Sequence, residues 1–268
     1  MYEVRIYKGD YKARQLQANK DNCIAYVEHH FNSSPSQSTN YSVVITGSNA
    51  SDISKNWGKW YAQEVAKKFG LQVAGQDGIL IGGYNGRGDG NLTYTKMPAI
   101  LLEPFFVSNP QGAEMVRSEA AQIDLAVILT RSIQQFFPAG GIVGFSVGHK
   151  YKTSRPSDRG AAVYGGGWEA DFAEIVLNKA KEFLEKPAVL EKVQQQAKDT
   201  QTKQPPRQEI RILQGNQMLW QHILEEKETI SWNDESNELT IKLVVDEDEY
   251  IKIKNGILTI TVGSNLIS

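Results

Sequence analysis

The chain has 268 residues, 40% of them hydrophobic and 22% charged, with a formal net charge of −2. That length suits one large α/β domain with a small appendage. The near-neutral charge excludes a nucleic-acid binder held by bulk electrostatics, and no apolar run is long enough for a membrane span. Cys23 is the only cysteine, so neither an internal disulfide nor a cysteine-based zinc site can form. His29, His30, His149 and His222 are the whole supply of imidazole.

Tyr2–Tyr7 alternates like a strand and lacks the apolar core of a secretory signal. The expectation is a protein made in the cytoplasm with no address to the secretory route. A helix is predicted over Tyr11–Lys20, with Leu16 as its apolar contact and Asp10 as its cap. Cys23–Phe31 reads as a strand in which Ile24, Tyr26, Glu28 and His30 share one face and Ala25, Val27 and His29 the other. One metal ion would therefore take only one of the two adjacent histidines. Asn32–Asn40 is a Ser-rich loop and Tyr41–Thr46 a third strand.

Ser51–Phe69 has the spacing of an amphipathic helix, with Ile53, Trp57, Trp60 or Tyr61, Val65 and Phe69 inward and Gly70 ending it. In Leu71–Asn91 the run GGYNGRGDG lacks the Lys-Ser/Thr ending of a phosphate loop, and no helix follows, so a mobile surface loop is expected. Met97–Phe106 is an apolar strand carrying one acid, Glu103, before Pro104 stops it. A carboxylate at the end of a buried strand needs a partner or a task. Asn109–Phe137 reads as one long helix, and Ile142–Val147 as a buried strand ending on Gly148-His149. A polar loop then leads to a helix over Trp168–Leu184, with Phe172, Ile175, Val176, Ala180 and Phe183 inward.

His149 at a strand's end and Glu169 in the first turn of the next helix, twenty residues on, fit two ligands of one metal. They also fit a polar loop followed by a carboxylate favoured by the helix dipole, the commoner arrangement for these residue types. Lys186–Arg207 is Gln- and Lys-rich, holds Pro187 and Pro205-Pro206, and reads as a linker with a short helix near Val189–Gln196. Beyond it, short alternating strands are predicted at Ile210–Leu213, Ser231–Trp232, Leu239–Val245, Tyr250–Ile253 and Leu258–Val262, with Asn255-Gly256 as a hairpin turn. The acidic run Asp246–Glu249 reads as a solvated turn, and His222 as a surface residue.

Four stretches taken together, His30-Phe31-Asn32, Pro98-Ala-Ile-Leu-Leu-Glu103-Pro-Phe-Phe-Val-Ser-Asn109, Gly148-His149 and Glu169, resemble the zinc-dependent N-acetylmuramoyl-L-alanine amidases of the amidase 3 type. Arg14 and Ala18-Asn19 are similar to a helical motif of that family. Glu28 departs from it, standing where the family prefers Ser; so do Pro104-Phe105, in place of smaller residues, and Lys150, in place of Gly. The order of the motifs also differs. The resemblance implies a circular permutant, joined at the Phe137–Gly141 turn and opened between Leu184 and Met1.

The resemblance further implies that His30, His149 and Glu169 bind Zn²⁺, with Glu103 as the acid–base residue. The substrate would be peptidoglycan, cut at the amide between N-acetylmuramic acid and L-alanine; with no secretory signal read, the expected context is that of a phage or prophage lysin. His29 would be structural. Asn32 and Asp158-Arg159-Gly160 are candidates for supporting the ligands or touching substrate. The fold expected is α/β, a mixed and mainly parallel sheet with helices on both faces, followed by a small all-β module. The domains would be a catalytic domain at 1–185, a linker at 186–208 and the β module at 209–268. Two other readings fit the same residues: a metal-free wall-binding or assembly protein that keeps the fold, and a related zinc carboxypeptidase-like hydrolase.

Overall fold

The computed structural model describes residues 1–203, 209–214, 217–223, 229–233, 238–243, 249–254, 257–262 and 265–267, with side chains described through residue 196. The chain divides into two compact units, Met1–Gln194 and Gln195–Ser268.

The first unit begins with β1 (Tyr2–Ile6), α1 (Tyr11–Lys20), β2 (Ala25–His29), β3 (Tyr41–Thr46) and α2 (Asp52–Phe69). The short strands β4 (Gln72–Val73), β5 (Ile79–Ile81), β6 (Gly83–Tyr84) and β7 (Arg87–Gly88) follow, then a 3-10 turn at Asp89–Asn91. It continues with β8 (Ala99–Glu103), α3 (Pro110–Arg117), α4 (Glu119–Phe136), β9 (Gly141–Val147), α5 (Glu169–Glu185) and the start of α6 (Pro187–Lys203).

The sheet runs β1-β9-β2-β8-β3-β4, with β5 also on β3. Pairing is parallel from β1 through β8, and β3 alone meets β8 antiparallel. The last strand of the unit is thus inserted between its first two. Because β9, β2 and β8 are parallel neighbours, with His29 opposite both Val147 and Leu102, their carboxyl ends reach one edge of the sheet together. This is the mixed, mainly parallel α/β architecture expected.

Helices cover both faces. One face carries the larger core, in which Val27, Ile100, Val143 and Phe145 of the strands meet Trp57 and Val65 of α2, Leu125 and Leu129 of α4, and Val176 and Phe183 of α5. On the other face Tyr26, Ile45 and Leu101 meet Ala18 of α1. Trp57 is fully buried, and its indole N–H donates to Ser132 Oγ at 2.9 Å.

Several expectations are corrected. Leu16 is 50% exposed, and α1 instead buries Arg14, Gln15 and Ala18. Asp10 makes no capping bond; it accepts from Thr153 and Ser154. Ile53 and Ile175 stand exposed. The long helix expected at Asn109–Phe137 is two, because Ser118 is extended and its side chain caps α4 at Ala121 N. The glycine-rich run is a tight hairpin, β6–β7, turning through Asn85 and Gly86 at φ 51° and 84°, the conformation that Asn-Gly favours. Within the stretch read as a linker, α6 opens by burying Leu190 in the main core.

In the second unit the backbone pairs antiparallel. Strands β10 (Glu209–Gln214) and β11 (Gln217–Ile223) form one ladder. Strands β12 (Thr229–Asn233), β13 (Glu238–Leu243), β14 (Glu249–Lys254), β15 (Ile257–Val262) and β16 (Asn265–Ile267) form another. The side chain of His222, the Asn255-Gly256 turn and most of the acidic run lie outside the described residues. Among the described residues no helix is long and apolar enough to cross a membrane.

Candidate active site

The carboxyl ends of β2, β8 and β9 supply His30, Glu103 and His149, and the first turn of α5 supplies Glu169. All four line one open cleft of 790 Å³. One donor atom each from His30, His149 and Glu169 lies within 4.8 Å of the others. His149 Nε2 is 3.2 Å from Glu169 Oε1, and His30 Nδ1 is 3.9 Å from Glu169 Oε2. Two ligands each about 2.1 Å from one ion at a tetrahedral angle sit roughly 3.4 Å apart, so the spacing suits a shared cation.

The backbone holds each of these groups. Glu169 is 3% exposed, and its two oxygens accept from Ala161 N and Phe31 N, both at 2.8 Å. A Cβ on Gly160, where φ is +74°, would sit 2.1 Å from Glu169 Oε1, so only glycine fits there. His149 takes φ 62°, the left-handed region that a non-glycine residue enters at some cost, and its N–H donates to Tyr11 Oη. Its Nδ1 lies 3.1 Å from Asp158 Oδ1, which leaves Nε2 to face Glu169. His30 is 6% exposed, with Nε2 2.8 Å from Glu28 Oε1 and Nδ1 toward Glu169.

The charges are mutually tuned. Burial works against the His149 imidazolium, but the Glu169 and Asp158 carboxylates outweigh it and raise its pKa. Burial pushes the Glu169 carboxyl up, yet His149 and His30 bring it below the ordinary value. Glu103 goes the other way: burial and the neighbouring Glu169 raise its pKa well above the usual carboxylate range, against the pull of Arg87. Its Oε2 is buried with no hydrogen-bond partner among the described residues.

His29 is not part of the cluster. It is fully buried against Phe31, its Nδ1 donates to the His30 carbonyl at 2.9 Å, and burial with the adjacent His30 pushes its pKa down to about 3. Of the other candidates, Asp158 holds His149, and the Asn32 amide donates to Tyr84 Oη at 2.8 Å in the cleft wall. Arg159 turns to Asp171. Sequence reasoning missed Tyr84, Arg87 and Asn91, and gave Glu28 no role beyond a departure from the family pattern. A lone acid inside the apolar strand AYVEH and the Asn-Gly turn of the hairpin were the signals for them.

Residues 4–135, just under half of the chain, match the family model described as N-acetylmuramoyl-L-alanine amidase. No curated protein matches the chain. Among solved structures, it is similar to the catalytic domain of an N-acetylmuramoyl-L-alanine amidase from Bacillus (Paenibacillus) polymyxa var. colistinus, at 24% identity and a TM-score of 0.39 over 48% of this chain and 66% of that one. It is also similar to the amidase of Mycobacterium smegmatis, at 21% identity and 0.42 over 48% and 61%. That of Clostridium difficile 630 follows at 19% and 0.42 over 48% and 66%. The chain spans less than two thirds of the length of each of these structures. Over residues 4–135, the chain is therefore similar to the N-acetylmuramoyl-L-alanine amidase family.

Proposed function

We propose that the protein is a zinc-dependent hydrolase of peptidoglycan that cleaves the amide between the lactyl group of N-acetylmuramic acid and L-alanine. The observation that carries this is the convergence of His30, His149 and Glu169 at the cleft that Glu103 also lines. Two imidazole nitrogens and a carboxylate oxygen are the donor set of a catalytic zinc with an open position. Asp158 on the far nitrogen of His149 is the kind of partner that orients such a ligand. Bound there, the ion supplies Lewis-acid chemistry, polarising the amide carbonyl and making water a nucleophile near neutral pH. Glu103, buried in the cleft wall with a free Oε2, would take the water's proton and pass it to the amide nitrogen as the C–N bond breaks.

Incubation of the zinc-loaded protein with purified peptidoglycan tests the assignment. The expected products are new L-alanine amino termini with no new reducing sugar ends. Release of free D-alanine instead would identify a carboxypeptidase-like enzyme, and retention on the wall without cleavage a binding protein.

The chain order is read in the same way as a circular permutation. The family match stops at residue 135, ahead of the strand and helix that carry His149 and Glu169. Glu185, the last residue of α5, accepts from Val4 N of β1 at 2.9 Å, and Lys181 Nζ donates to Val4 O. A chain running β9–α5–β1 is therefore compatible with this packing, because the end of α5 already lies against β1. A re-permuted chain that starts at Gly140, joins residue 194 to Met1 by a short Gly-Ser linker and stops at Ala139 is expected to bind zinc as the parent does. Failure of that soluble, folded variant to bind zinc would refute the permuted reading.

A further inference from the structure

We infer that Glu28 is a positioning residue, which holds the Nε2–H of His30 and so fixes the tautomer whose Nδ1 faces Glu169. The inference rests on the reading of His30 as a metal ligand. Glu28 sits in the middle of the sheet with no exposure at all. A carboxylate there is strongly disfavoured unless its oxygens are met. Three donors meet them: His30 Nε2 at 2.8 Å and Asn91 Nδ2 at 2.5 Å on Oε1, and Ser146 Oγ at 3.0 Å on Oε2.

A carboxylate accepts and does not donate, so the ring proton of His30 is held on Nε2 and the Nδ1 lone pair is left toward Glu169. The ring has little room to turn over, because a mere Cβ on Gly148 would lie 2.4 Å from His30 Cε1. The network reaches the second imidazole as well. Ser146 accepts from Arg14 Nη1 at 2.7 Å, and Arg14, itself fully buried, donates to the carbonyls of Gly9, Val147 and Lys150. The Val147–Lys150 backbone is the segment that carries His149. A buried anion and a buried cation, one hydroxyl apart, thus brace the strand ends from which both histidines project.

The competing role is purely structural, with Glu28 present only to offset the buried Arg14 charge. The two roles separate when zinc affinity is measured by chelator competition alongside the melting temperature of the metal-free protein and ¹⁵N-imidazole spectra of its histidines. Glu28→Ala should weaken zinc binding by about 10–100-fold, the usual cost of losing such a partner, and should give His30 a mixture of tautomers. Glu28→Gln, which keeps the volume and one acceptor oxygen, should restore the single tautomer and most of the affinity. Unchanged affinity and an unchanged His30 tautomer in folded Glu28→Ala, with only the melting temperature lowered, would overturn the inference. Should Glu28→Ala fail to fold, Glu28→Met, which fills the space but offers no acceptor oxygen, replaces it, and an unchanged His30 signal and zinc affinity in that variant have the same force. A wild-type protein that binds no zinc would refute the proposed function, while the His30 tautomer of the metal-free protein would still report on Glu28.

Discussion

Glu103→Gln should lower the rate of amide cleavage by about 10²–10⁴-fold, roughly 3–5 kcal/mol in the barrier, while zinc content stays at one ion per chain. Gln has the same shape but cannot accept the proton of water, and Glu103 is not one of the three clustered donors, so only proton transfer is removed. The wild-type rate should fall as pH drops through the pKa of Glu103 in the zinc-loaded protein, because only its ionised form acts as a base; the charge of the ion pulls that pKa below its raised metal-free position. Stability runs the opposite way. A carboxyl whose folded pKa lies above its unfolded one favours the folded state fully below the ordinary value of 4.5, and that contribution is lost as pH rises through the folded pKa. Metal-free Glu103→Gln should therefore melt higher than metal-free wild type at neutral pH, and the gap should close toward pH 4. Initial rates and melting curves across pH measure both effects. A variant that keeps more than a tenth of the wild-type rate would remove Glu103 from the chemistry.

The strand-end contexts were legible because each is a local pattern: a few apolar residues, then a histidine or an acid, then a turn. His30, Glu103, His149 and Glu169 could be named without knowing the strand order, and the parallel register of β9, β2 and β8 then places the first three at one edge. What hid from the sequence was set by register and by the other face of the sheet. The helix α1 buries Arg14 and Gln15 beneath the cleft and exposes Leu16, which inverts any rule that apolar residues point inward. Arg14 tolerates that burial because each of its donors meets an oxygen of Gly9, Ser146, Val147 or Lys150, most of them far away along the chain. Glu28 could be read only as a departure on the His30 face, and its role stayed hidden for the same reason, since Asn91 and Ser146 come to it from distant segments. The break at Ser118 turned on one capping hydroxyl within an unbroken run of good helix formers.

His149→Gly should abolish zinc binding without unfolding the protein. Alanine would be the poorer probe, because position 149 sits at φ 62° and alanine would keep that strain. Glycine releases it, a gain of about 1 kcal/mol that offsets part of the lost pairing with Glu169 and Asp158. Two donors, His30 and Glu169, remain, too few for a tight tetrahedral site. Because an ion that binds only the folded state stabilises it by mass action, zinc at about 1,000 times its dissociation constant should add roughly 4 kcal/mol to the wild type and nothing to the variant. A chelator should likewise lower the melting temperature of the zinc-loaded wild type and leave His149→Gly where it was. Melting curves with zinc, with chelator and with neither decide the matter. Equal zinc stabilisation of both proteins would mean that the ion sits elsewhere, and Glu169 would then be a structural carboxylate held by Phe31 N, Ala161 N and its two histidine neighbours.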